Sequence, residues 1–164
     1  MGRSGIVEGP IDEEAEIRSV AEGRTEVGAI VTFRGVIREK SLHGRVKFLY
    51  YDFYPEMAGR ALEEIRRKAI EKFGLVDATI LHRVGEVPVG ETALLVIAAS
   101  EHREAAFEAA RWMVDEVKRS AAIWKKEVFI GGGERWVEEV QLRWGGGSDD
   151  RYNEQTSRLQ GGCS

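Results

Sequence analysis

Two apolar runs decide the fold: Leu75-Val-Asp-Ala-Thr-Ile-Leu-His-Arg-Val84 and Thr92-Ala-Leu-Leu-Val-Ile-Ala-Ala99, with Gly85-Glu-Val-Pro-Val-Gly90 between them. Aliphatic and β-branched residues punctuated by Gly and Pro read as two strands and their connection. The second run is apolar almost throughout. That is the composition of a central strand covered on both faces.

Upstream, Pro55 is a favoured first-turn residue, and Ala58, Leu62, Ile65, Ala69 and Phe73 recur at spacings of three or four. This predicts a helix from Pro55 to about Phe73 with one apolar face, stopped by Gly74. Further back, Val27 to Ile37 and the aromatic stretch Val46 to Tyr54 read as strands, with a hairpin turn at Ser41 to Arg45. Asp12 to Ala21 reads as a short acidic helix, and residues 1–10 are small and polar. Downstream, Ser100 is the expected N-cap of a helix over Glu101 to Ser120, whose buried stripe is Ala106, Ala110, Met113, Val114 and Val117. Five acids and two bases fall in 101–116, against four bases and one acid in 117–127, an order that complements the helix dipole. Ile123 to Ile130 is a strand, Gly131–Gly133 a loop, and Arg135 to Leu142 a last strand or short helix. This order of elements is an α+β pattern with a mostly antiparallel sheet. Residues 1–144 form one domain, and 145–164, rich in Gly, Ser and charge, read as a flexible tail.

Composition removes several function classes. The chain has 164 residues, 43% apolar, with 24 Lys and Arg against 28 Asp and Glu, a net charge of −4. A wholly disordered chain is excluded, and a general nucleic-acid binder is not favoured without a basic excess. One cysteine, Cys163, allows no intrachain disulfide and no cysteine metal cage. His43, His82 and His102 lack metal-ligand spacing, and phosphate-loop, dinucleotide and nucleophile-elbow motifs are absent. No membrane span and no secretory signal are visible, which fits a cytoplasmic protein.

What remains is a set of basic residues at element ends. His102 and Arg103 stand at a strand-to-helix junction, where free N–H groups and the dipole suit an anion. On local physics alone, an exposed His and Arg at a helix start is the simpler account. Lys118 lies in the last turn of that helix, where a lysine also simply complements the dipole. Lys125 and Lys126 interrupt an apolar strand, so one of them faces whatever covers it. A partly buried lysine beside another cation can act as nucleophile or proton donor; lysines protecting an edge strand are the alternative. Arg38 precedes the hairpin turn, where a mobile loop could reach a ligand, although an exposed turn arginine is the simpler account. The four tryptophans and the 48–54 aromatics suit core or interface better than base stacking, since no basic stripe accompanies them.

Taken in order, Gly28-Ala-Ile-Val-Thr-Phe-Arg-Gly-Val-Ile-Arg38, Tyr50-Tyr-Asp-Phe-Tyr-Pro-Glu-Met-Ala58, His82-Arg-Val-Gly85 with Val89-Gly90-Glu91, His102-Arg103 with Ala106-Phe107, Asp115-Glu-Val-Lys118, Ile123-Trp-Lys-Lys-Glu127 and Trp136-Val137 form one series. It closely resembles the MoaE family, the large catalytic subunits of molybdopterin synthase, over roughly residues 5–140. The resemblance implies an α/β hammerhead fold with an added antiparallel sheet. It implies a homodimer at the core of a heterotetramer, with a small ubiquitin-like sulfur-carrier subunit at each end. The carrier's Gly-Gly C-terminus bears a thiocarboxylate, and its sulfur passes to cyclic pyranopterin monophosphate to build the molybdopterin dithiolene. No metal or other cofactor is implied. Lys118 and Lys125 match the catalytic pocket lysines. Arg38, His102 and Arg103 match the grip on the substrate phosphate, with Arg38 expected from the opposite protomer. Lys126 and Glu127 complete the substrate-binding strand motif. Ala122 stands where many members have proline, and Asp52 where glutamate is common. The tail's Gly161-Gly162 resembles the carrier's terminus and suggests a peptide that could enter the pocket itself. The alternative reading is a non-catalytic binding module for a ubiquitin-like sulfur carrier.

Overall fold

The computed structural model describes residues 1–137. Its strands are β1 (Ser4–Glu8), β2 (Ala29–Val36), β3 (Lys40–Ser41), β4 (Gly44–Phe53), β5 (Asp77–Pro88), β6 (Thr92–Ser100), β7 (Ile123–Phe129) and β8 (Glu134–Val137). Its helices are α1 (Glu13–Ser19), α2 (Pro55–Phe73) and α3 (Arg103–Ser120). The strand path is β2-β6-β5-β4-β7-β8, with β1 along β5 and β3 along β4. Every pairing is antiparallel except β1 with β5. This is the α+β architecture that the element order implies.

β5 joins the two halves of the sheet. Asp77–His82 pairs with β6, Ile80–Val84 with β1, and Gly85–Pro88 with β4. The strand therefore runs four residues past Val84, where the sequence suggested a loop. Gly85 permits this: its φ of 76° lies in the left-handed region, which costs an L residue about 1–2 kcal/mol. The N-terminal stretch, which looked merely small and polar, forms β1 and closes β5 on its other edge.

Strand alternation divides the core. Ala78, Ile80, Leu94, Val96 and Ala98 face α2 and α3, burying Leu62, Ile65, Ala69, Ala106, Ala110, Met113 and Val117. Leu81, Leu95, Ile97 and Ala99 face the other way, against Val20 and Ile17 of the α1 region. Both faces of β6 are thus covered, as its composition demands. A third cluster, Ile37, Val46, Val87 and Ala93, lies where β5 passes into the second half of the sheet.

Capping follows the sequence at α2, where Pro55 opens the helix and Gly74 ends it with φ 62° and ψ 41°. At α3 the expected cap is displaced by two residues. Ser100 stays in β6 and donates its hydroxyl to the carbonyl oxygen of His102, so His102 takes the N-cap position. Strand pairing of Ser100 with Ala29 outweighs the capping preference of a serine. The 145–164 tail, with Gly161-Gly162 and Cys163, and the end of the last strand beyond Val137 lie outside the described residues.

Candidate active site

A cavity of about 280 Å³ opens where α3 ends and β7 begins. Its cationic wall is assembled from three parts of the chain. Lys118 projects from the last turn of α3, which stops because Ala121 adopts an extended conformation. The turn is pinned to β4 by the Tyr54 amide, which donates to the Ala122 carbonyl at 3.0 Å. Hydrogen bonding to β4 thus holds the turn without the proline that many family members carry there. Lys125 follows three residues into the turn's strand, paired between Tyr51 of β4 and Val137 of β8. β7 is therefore an interior strand, and Lys125 is not an edge-protecting lysine.

Arg38 reaches the same cavity from the β2–β3 connection. Its neighbour Ile37 is buried and fastens the connection to the β5–β6 turn through both of its backbone groups: Ile37 donates to the Glu91 carbonyl at 3.1 Å, and Gly90 donates to the Ile37 carbonyl at 2.9 Å. Arg38 thus lines the pocket formed by the lysines of its own chain, whereas the resemblance led us to expect it from the opposite protomer. Glu127 completes the polar lining two residues beyond Lys125, on the same face of β7. Its Oε2 is buried and has no hydrogen-bond partner among the described residues. The apolar lining includes Phe33, Leu49, Leu94 and Val117.

Three expected site residues lie elsewhere. Lys126, one residue from Lys125, stands on the opposite face of the sheet by strand alternation. Its Nζ lies 5.4 Å from the ring centres of both Tyr50 and Trp136 and 3.0 Å from Glu134 Oε2. It is packed between aromatics and does not line the cavity. His102 and Arg103 are strongly exposed, their nearest carboxylates being Glu101 and Glu104. They begin α3 while Lys118 ends it, which separates them by about 22 Å at 1.5 Å per residue. The expected cationic group therefore does not converge within one chain.

Sequence reasoning also passed over two lining residues. Both belong to the motif series that carries the resemblance, but neither Tyr51 nor His82 is assigned a site role from the sequence. Both line the cavity, and their rings meet edge to face at 4.9 Å. The available signal was a histidine inside an otherwise apolar strand. Among the described residues no group of His, Cys, Asp and Glu is arranged to hold a metal ion. What the cavity offers is positive charge from several sides around one small space, suited to an anionic peptide end or a phosphorylated substrate.

Comparison with known proteins agrees with this chemistry. The family model described as MoaE protein matches residues 6–120. A molybdopterin synthase catalytic subunit of Pyrococcus abyssi is 42% identical over 140 residues, covering 84% of this chain and 94% of that one. The crystal structure of molybdopterin synthase from Staphylococcus aureus superimposes with a TM-score of 0.75 at 30% identity, covering 81% of this chain and 95% of that one. A complex of subunits 1 and 2 of the molybdopterin-converting factor from Helicobacter pylori shares the fold, with a TM-score of 0.68 at 22% identity over 84% of this chain and 91% of that one. With a family model spanning most of the chain and a relative of this identity, the chain belongs to the MoaE protein family.

Proposed function

We propose that this chain is the catalytic subunit of a molybdopterin synthase. In this reading it takes sulfur from the thiocarboxylated Gly-Gly end of a small ubiquitin-like partner and delivers it to cyclic pyranopterin monophosphate. The observation that carries the reading is the convergence of Lys118, Lys125 and Arg38 on one cavity. A thiocarboxylate entering such a space gains charge-assisted hydrogen bonds, and ammonium groups can supply the protons that ring opening consumes. The Helicobacter complex pairs a chain of this fold with a second subunit, which supports a carrier docking beside the cavity.

His102 and Arg103 are too far from their own Lys118 to share its substrate. In a twofold dimer they grip the substrate phosphate in the neighbouring chain's cavity, so each site draws on both chains. Among the described residues no helix is long and apolar enough to cross a membrane, and a cytoplasmic setting accords with a phosphorylated pterin substrate.

The test is reconstitution. The purified chain, thiocarboxylated carrier and pyranopterin substrate together form the dithiolene product, and Lys118→Ala or Lys125→Ala lowers the rate by roughly 10²–10³-fold. A chain that binds the carrier but makes no product is the binding module instead.

A further inference from the structure

β2 ends the sheet, and among the described residues no strand lies along its outer edge. Such an edge offers a row of backbone N–H and C=O groups to another chain, and proteins commonly blunt it with lysine, proline or short length. β2 uses none of these. It runs eight residues, Ala29-Ile-Val-Thr-Phe-Arg-Gly-Val36. Its one charge, Arg34, is engaged within its own chain, by Glu13 at 2.6 Å and Thr92 at 3.1 Å. The irregularity against β6 adds its extra residue, Ala93, to β6 and leaves β2 unbroken.

Side-chain direction dictates how a second copy can join. Ile30, Thr32, Arg34 and Val36 stand opposite Ala99, Ile97, Leu95 and Thr92, on the α1 face of the sheet. Ala29, Val31 and Phe33 lie on the α3 face. Ile30 and Val36 are 38% and 42% exposed. Directly opposed residues of an antiparallel pair point to the same face. A pair of β2 strands with its twofold at Phe33 meets that condition. It sets Ile30 of each copy against Val36 of the other, Thr32 against Arg34, and Val31 against Gly35. With the axis at Thr32, Ile30 would face Arg34; with the axis at Arg34, two guanidinium groups would meet. The axis at Phe33 is the one that matches the exposed aliphatic side chains.

We propose that a second copy of this chain pairs along β2 about a twofold at Phe33, and that this seam carries His102 and Arg103 to the neighbouring cavity. The second half rests on the sulfur-transfer reading above; the pairing itself rests on β2. Gly28 donates to the Ser100 carbonyl and Ala29 pairs with Ser100, so β2 starts beside the junction that holds His102 and Arg103. Its other end continues into Ile37 and Arg38 at the cavity. Pairing about Phe33 brings Gly28 of one copy opposite Arg38 of the other. The β6–α3 junction then stands two strand spacings from Arg38 of the second copy, about 10 Å, against about 22 Å from Lys118 of its own chain. Because residues of like direction are matched, both α3 helices lie on one face of the joined sheet. That is the face on which Phe33, Leu94 and Val117 line the cavity. The contact is isologous, so each cavity receives the same two side chains from its neighbour.

The test uses the full chain. Wild type is expected to sediment at twice 18.4 kDa. In a Cys163→Ser background, Ile30→Cys/Val36→Cys is expected to oxidise to a covalent dimer, since opposed Cα atoms about 4.5–5.5 Å apart suit a disulfide. Within one chain the same two positions are about 20 Å apart, so no internal bridge competes. Ile30→Cys or Val36→Cys alone stays uncrosslinked. Ile30→Lys sets an ammonium against an aliphatic neighbour twice per dimer and is expected to raise the dimer dissociation constant roughly 10²-fold. Its turnover per chain, with thiocarboxylated carrier and pyranopterin, then rises with protein concentration. A monomeric wild type, or a dimer whose double-cysteine variant does not crosslink, overturns the seam. Single-cysteine variants that crosslink as readily as the double one overturn the register. If Ile30→Lys fails to fold, the cysteine variants decide alone. A monomeric Ile30→Lys that turns over at the wild-type rate overturns the sharing of the site. Absence of product from the wild type overturns the sulfur-transfer reading, while mass and crosslinking still judge the seam.

Discussion

Lys125 and Lys126 are adjacent in β7 and face opposite sides of the sheet, the first lining the cavity and the second held between Tyr50 and Trp136. Their substitutions should separate cleanly. Lys126→Ala removes two cation–π contacts and the Glu134 ion pair, so it is expected to cost about 1 kcal/mol in urea unfolding while leaving sulfur transfer within about twofold. Lys125→Ala is expected to do the reverse, with a rate loss of roughly 10²-fold or more at near-constant stability. A stable but inactive Lys126→Ala would return that lysine to the substrate site.

A site shared between chains has a distinctive genetic signature. Lys118→Ala and Arg103→Ala homodimers should each be nearly inactive. Co-expressed at equal levels, half of the dimers are mixed, and each mixed dimer holds one intact site. Activity should therefore recover to about a quarter of wild type. Equal mixtures that stay inactive would mean Arg103 serves its own chain, and an active Arg103→Ala homodimer would mean that it serves neither.

Asp77 ties the N-terminus to the core. Its carboxylate accepts from the Gly2 amide at 2.6 Å and from the Ala78 amide at 2.8 Å, and it pairs with Arg66 at 2.8 Å and Arg24 at 2.6 Å. Burial pushes this carboxyl up, but the two amides and two guanidinium groups outweigh it and hold the group below the usual range. A depressed native value means stability that is present above the unfolded value, near 3.9, and is lost as pH falls through the native one. Asp77→Asn is expected to cost about 3 kcal/mol at neutral pH, since it takes the buried carboxylate from the largely buried Arg66 and leaves it the Ala78 carbonyl and the exposed Glu63. The gap from wild type should narrow at acid pH, below that unfolded value. Urea titrations at both pH values measure it, and a constant gap would remove Asp77 from acid lability.

Gly28 lets β2 begin beneath the β6–α3 junction. A Cβ there would lie 2.3 Å from the Glu101 carbonyl oxygen, and its own amide donates to the Ser100 carbonyl at 3.0 Å. Gly28→Ala must shift backbone, at an expected cost of about 1–3 kcal/mol. Because Glu101 precedes His102 and Arg103, substrate KM should rise as well. A melting temperature equal to wild type would show that the junction yields freely.

Much of this molecule was legible before its coordinates. Periodicity located α2 and the buried stripe of α3 because those helices bury one face, and the apolar run 92–99 announced a strand with no exposed side. The longer course of β5 was hidden, because Gly85 and Pro88 are ordinary loop residues until a partner strand, β4, pairs with them. β1 was hidden because only Ile6 and Val7 mark it in the sequence, and their packing on the two core clusters depends on the pairing to β5. In the site, family resemblance supplied Lys118, Lys125 and Arg38, which local physics left ambiguous. Lys126 was misplaced although strand alternation already separated it from Lys125. His102 and Arg103 could be named but not located, because a helix's length dictates how far apart its ends stand. His82, though part of the motif series, received no site role because a lone histidine signals nothing until the surrounding walls are known.

β5 carries this architecture's main liability. One unbroken ribbon holds Ile80 against the helices, His82 at the cavity and Val87 in the far cluster. Loosening of the helical layer is therefore transmitted to the crevice, with no hinge between them to absorb it. Heat tolerance of turnover in such an enzyme is set by repacking beneath α2 and α3, at positions no substrate ever meets.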